Sequence, residues 1–83
     1  MTDIDPALVH RWRASSSAIE QVAARLADEL HGKPRWEPVE GSFRIAIRMG
    51  VSQTTVLRAK VLLADHGAIM KDSSGSTTGY YVT

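Results

Sequence analysis

Between Ser42 and Gly67 the sequence carries two short helical patterns joined by a tight turn, Met49-Gly50-Val51-Ser52. Few arrangements are open to such a segment. Glycine supplies the left-handed backbone that closes one helix, and a serine two residues later caps the next. The two helices therefore leave the turn at a sharp angle, with Val51 filling the corner between them. The first is expected over Ser42 to Met49, with Ser42 as its cap, Phe43, Ala46 and Ile47 as one apolar stripe, and Arg44 and Arg48 four apart on the opposite side. The second is expected from Gln53 to about His66, with Val56, Ala59 and Leu63 facing the core and Gly67 closing it.

The rest of the chain divides around this pair. Pro6 to Arg13 reads as a short helix with Asp5 as N-cap and Pro6 at the first helical position. Ser17-Ala18-Ile19-Glu20 has the form of a capping box. Ile19, Val22, Ala23, Leu26 and Leu30 recur behind it at helical spacing, up to a stop near His31 at Gly32 and Pro34. Residues 32 to 41 read as a loop whose apolar anchors are Trp36 and Val39. Trp12 and Trp36 are expected to pin the first helix and this loop to the core. Ala68 to Lys71, the turn-rich Asp72-Ser73-Ser74-Gly75-Ser76 and the run Thr77 to Val82 predict a β-hairpin, with Tyr80 and Tyr81 on opposite faces. The expected fold is mainly α with a small β-hairpin: a winged helix-turn-helix of three core helices and a wing over residues 15 to 83, behind an N-terminal extension, residues 1 to 14, with a short helix.

With 83 residues, one core is expected and no second domain with a ligand pocket. The absence of cysteine removes disulfides, thiolate zinc sites and cysteine nucleophiles. His10, His31 and His66 share no metal-ligand spacing, and the neighbours Asp28-Glu29 and Asp65-His66 point apart on a helix. Ser15-Ser16-Ser17 and Ser73-Ser74-Gly75-Ser76 lack the glycine and lysine of a phosphate-binding loop. No enzyme, cofactor or metal site is expected. No apolar run approaches the roughly 20 residues of a membrane span, and the first residues lack the pattern of a secretion signal, so a cytoplasmic, nucleoid-associated protein is expected.

The net charge of +1 conceals an asymmetry: residues before Phe43 sum to −2 and those after it to +3. A basic C-terminal half fits a polyanion. Two helices on a tight turn suit insertion of the second into a major groove, where the free amides behind the Ser52 cap favour phosphate. Ser52, Gln53, Thr54 and Thr55 would lie along base edges and backbone. Arg44 and Arg48 are candidate phosphate clamps, joined by Arg58 on the exposed side of the second helix and Lys71 at the base of the hairpin. The hairpin tip offers Ser74 and Gly75 for hydroxyl or backbone contacts, with no arginine or lysine for a minor groove.

The segment Met49-Gly50-Val51-Ser52-Gln53-Thr54-Thr55-Val56-Leu57 and the ending Gly79-Tyr80-Tyr81-Val82 resemble the DNA-binding domain of GntR-family bacterial regulators. In that family Leu-Gly-Val-Ser precedes Arg-Thr-Thr-Val-Arg, and the wing finishes on Gly-Thr-Phe-Val. The resemblance spans roughly residues 17 to 82 and implies a double-stranded DNA-binding transcriptional regulator without the family's effector domain. The family's two recognition arginines fall on Gln53 and Leu57 here, a pairing suited to adenine and to a thymine methyl, hence to A·T-containing sequence. Lys60 takes a place usually apolar in the family. Leu57, Val61 and Ala64 form an apolar strip that is a candidate surface for a homodimer or a protein partner, as is the N-terminal segment from Ile4 to Trp12. Two alternatives stand beside the regulator: a winged helix kept as a protein-interaction module, and a DNA-architectural or recombination accessory factor.

Overall fold

Capping side chains set most of the helix boundaries. The computed structural model describes residues 4–71 and 79–83. Asp5 accepts a hydrogen bond from the Ala7 amide at 2.9 Å and starts α1 (Pro6–Arg13). Ser17 accepts from the Glu20 amide and starts α2 (Ala18–Leu30), and Ser52 accepts from the Thr55 amide and starts α4 (Gln53–Asp65). The capping box at Ser17 is only half formed. The Ser17 amide donates to Ser15 Oγ, and Ser15 in turn donates to the Glu20 carboxylate, so a serine side chain relays the bond expected directly from glutamate. Gly32, Gly50 and Gly67 all take positive φ and end α2, α3 and α4.

α2 and α4 lie against each other at the centre, with α1 on α2, α3 on α4 and the first strand on α4. Their shared core holds Val22, Leu26, Ile45, Val56, Leu63, Ile69 and Val82, each all but excluded from solvent. Trp12 is buried with them, so α1 belongs to the same core as the rest of the chain. The ring of His66, the residue after α4, stacks on Trp12 with centroids 5.3 Å apart and planes 8° apart. Among the described residues the fold is thus mainly helical, with four helices and one small antiparallel sheet. No helix among them is long and apolar enough to cross a membrane.

β1 (Ile69–Lys71) and β2 (Tyr80–Val82) pair antiparallel, with Ile69 opposite Val82 and Lys71 opposite Tyr80. Tyr80 and Tyr81 are both partly buried, so the expected division into one core and one solvent ring is not sharp. The expected hairpin tip, with Ser74 and Gly75, lies outside the described residues.

Three expectations are corrected. First, α3 (Ser42–Met49) has Gly41 as N-cap without any side-chain hydrogen bond, and Ser42 is already helical. Second, the buried side of α3 is Ile45 and Ala46, whereas Phe43 and Ile47 are 63% and 68% exposed. Eight residues carry two apolar pairs at spacing four, Phe43 with Ile47 and Ile45 with Met49, and α3 docks on α4 with Ile45 buried and Met49 half-buried.

Third, residues 36 to 39 are more than loop. Trp36 N donates to Val82 O at 2.8 Å, Val82 N to Glu37 O at 2.9 Å and Val39 N to Tyr80 O at 2.9 Å, which places this stretch along the free edge of β2. Trp36 is no core anchor. It is 58% exposed, sits at φ 71°, and carries the Arg35 guanidinium 5.8 Å from its ring centre. The Glu37 amide closes a turn onto Pro34 O that puts Trp36 at the third position, where positive φ is ordinarily glycine's. A left-handed non-glycine residue costs about 1–2 kcal/mol, partly offset in a glycine variant by backbone entropy. Trp36→Gly is therefore expected to raise stability by up to about 1 kcal/mol, read as a higher urea midpoint at unchanged slope; a lower midpoint would show that the indole contributes more than its strain costs.

Candidate nucleic-acid interface

The first turn of α4 is where the sequence concentrates its candidates, and its geometry follows from the cap. Ser52 Oγ accepts from Thr55 N at 3.1 Å and lies 2.8 Å from Thr55 Oγ1. Of the orphan amides at a helix start this bond satisfies one, and the Gln53 and Thr54 amides have no partner within the helix. Gln53 and Thr54 are exposed, while Thr55 is half-buried with its hydroxyl engaged by Ser52. Neither α3 nor α4 has an acidic residue in its first turn, in contrast to α2, which has Glu20. The partial positive charge at both helix starts is left without a carboxylate.

Gln53 and Leu57 border a depression of about 300 Å³ that is also lined by Ser42 at the start of α3, Lys71 at the end of β1, and Gly79 and Tyr80. The fold thus brings three sequence-derived candidates, Gln53, Leu57 and Lys71, to one groove between α4 and the hairpin. Leu57 is 46% and Val61 49% exposed, while Ala64, the third member of the strip, is half-buried against the core.

The cations separate into two groups. Arg48 is held by Glu29 through two hydrogen bonds of 2.7 and 2.8 Å and by Glu40 at 2.9 Å. The Arg48 bond holds the Glu29 carboxyl below its ordinary range against an opposing push from burial, and both carboxylates raise the Arg48 guanidinium above its own. A guanidinium already facing two carboxylates is poorly placed to clamp phosphate, so Arg48 acts as a tie between α2, the segment before α3, and α3 itself. Arg13 and Lys33 are likewise matched, to Asp28 and Glu37. Arg44 and Arg58 are exposed and have no carboxylate partner among the described residues. Lys71 is exposed beside the groove.

Lys60 is the residue the sequence undervalued. It is buried on α4 between the helix and the hairpin, with Nζ 2.7 Å from Glu40 O and 5.8 Å from the centre of the Tyr80 ring. Burial pushes its ammonium below the ordinary lysine range, and the Glu40 charge pulls in the opposite sense. Glu40 therefore meets α3 with its side chain and α4 with its carbonyl, which fixes the start of α3 over the groove. The one signal for this in the sequence is a lysine in an otherwise apolar stripe with Val56, Ala59 and Leu63. Glu29 and Glu40 gave none, because their partners are far away in the chain. Among the described residues no group of three His, Cys, Asp or Glu side chains is placed to hold a metal ion. Comparison with protein-family models, curated proteins and solved structures finds no match to this chain.

Proposed function

We propose that this chain is a winged helix-turn-helix domain of the GntR-like kind, a sequence-specific reader of double-stranded DNA that regulates transcription from the nucleoid. α4 enters the major groove, and the hairpin serves as the wing. One observation carries the reading: α4 follows α3 through the Gly50 turn and begins with free amides and no carboxylate, and Arg44 on α3 and Arg58 on α4 have no carboxylate partner among the described residues. Gln53 and Thr54 lead toward base edges, Leu57 toward a thymine methyl, and Arg44, Arg58 and Lys71 toward phosphates. One such module buries only about 600–1,000 Å² on DNA, so two copies on a repeated site supply useful affinity.

Selection of duplexes from a randomised pool at two salt concentrations tests this. A recurrent A·T-containing site is expected, with log affinity falling against log salt by about 0.9 per phosphate contacted. Arg44→Ala and Arg58→Ala are each expected to reduce that slope by about 1. No retention at either salt would end the reading. A protein-interaction module in place of a DNA reader is the second reading, supported by the exposed Leu57 and Val61. Leu57→Arg separates the two, since it should strengthen binding to DNA and weaken binding to an apolar partner.

A further inference from the structure

The exposed sides of α3 and of α4 each combine two chemistries. Phe43 and Ile47 on α3, and Leu57 and Val61 on α4, are apolar pairs at spacing four with about half or more of each side chain in solvent. Three of the four are followed directly by arginine: Phe43-Arg44, Ile47-Arg48 and Leu57-Arg58. Arg48 is neutralised by Glu29 and Glu40, whereas Arg44 and Arg58 have no carboxylate partner among the described residues. Single exposed apolar residues on a surface are ordinary, but two regularly spaced pairs on consecutive helices are not scattered. DNA accounts for the arginines and for Leu57 against a thymine methyl. It offers no comparable apolar surface to Phe43 and Ile47, because phosphates and most base edges are polar.

We propose that the exposed sides of α3 and α4 together form a surface that also docks an acidic amphipathic helix of a partner protein, which competes with DNA for it. The inference rests on the reading of α3 and α4 as the working surface and adds the occupant that reading does not explain. The apolar pairs match the anchors an amphipathic helix presents at spacings of three, four and seven. The unpaired arginines match glutamates or aspartates flanking those anchors and would repel a basic helix. Partner binding would then switch DNA binding by occlusion.

The test uses the full chain and a synthetic 20-residue peptide with leucines along one helical face and glutamates along the other. Two control peptides accompany it, one with lysine for every glutamate and one with the same residues in scrambled order. Fluorescence anisotropy should show binding of the glutamate peptide alone. Phe43→Ser with Ile47→Ser, both surface changes whose folding is checked by thermal melting, should weaken that binding by about tenfold or more, equivalent to about 1.4 kcal/mol. The same variant should hold duplex DNA within about threefold of the wild type. Arg44→Ala with Arg58→Ala should weaken both, and the peptide should displace DNA from the wild-type chain. Absence of peptide binding, equal binding of either control, or indifference of the peptide to the Phe43 and Ile47 changes would overturn the proposal. If the peptide binds as described and DNA does not, the DNA reading falls and the docking surface stands; the reverse result sinks the docking surface alone.

Discussion

Replacing Leu63 with alanine is expected to cost about 3 kcal/mol of folding stability, within the 2–5 kcal/mol span of buried leucine truncations. Leu63 is wholly buried on α4, the helix that meets α2, α3 and β1, and its carbonyl accepts the Ala68 amide at 3.0 Å just before β1. The loss has two parts: the transfer energy of the removed carbons and a cavity that the surrounding core cannot fully close. In a chain of 83 residues the whole stability is about 4–12 kcal/mol by the usual per-residue range, so this one change removes a quarter or more of it. Urea unfolding followed by circular dichroism should show a lowered midpoint with an unchanged slope. Leu62→Ala, at a half-buried position one residue earlier, should lose about 1 kcal/mol or less. Equal losses at the two positions would mean that α4 is rotated from the orientation described here.

The parts of the fold that could be read from the sequence are those decided within a few residues. Asp5, Ser17 and Ser52 cap helices from two or three positions away, and Gly32, Gly50 and Gly67 close them within two residues of their ends. The parts that could not be read are decided across the chain. The side of α3 that is buried depends on where the Gly50 turn sets α3 against α4, and eight residues hold two equally good stripes. Residues 36 to 39 show neither alternation nor β-branched enrichment, and only the distant β2 holds them along its edge. Of the candidate site, Ser52, Gln53, Thr54, Leu57 and Arg58 were legible because they share one helix start. The withdrawal of Arg48 was not, because its partners Glu29 and Glu40 are on other elements. Lys60 lies between these cases: its type was anomalous in its stripe, but its hydrogen bond to the Glu40 carbonyl could be seen only in three dimensions.

Thr54→Glu is expected to move stability and DNA binding in opposite directions. Thr54 is exposed in the first turn of α4, which has no acidic residue. A carboxylate there meets the positive end of the helix and should raise stability by about 0.3–1 kcal/mol, with a small addition from the better helix propensity of glutamate over threonine. On the proposed DNA reading, the same carboxylate would face the phosphates drawn to the free amides of this turn. Like charges brought together across an interface cost several kcal/mol, and a loss of about 3 kcal/mol lowers affinity roughly a hundredfold. Thr54→Gln supplies nearly the same shape without charge and should stay within about tenfold of the wild type. Ala18→Glu makes the same change in net charge at an exposed first-turn position of α2. It should stabilise less, because alanine is the better helix former and Glu20 already stands in that turn, and should alter DNA affinity by only about threefold, through the overall field. A pair of measurements on each variant, a urea midpoint and a duplex titration at fixed salt, separates local contact from general charge. A Thr54→Glu chain that is more stable and binds DNA undiminished would mean that the start of α4 faces no phosphate.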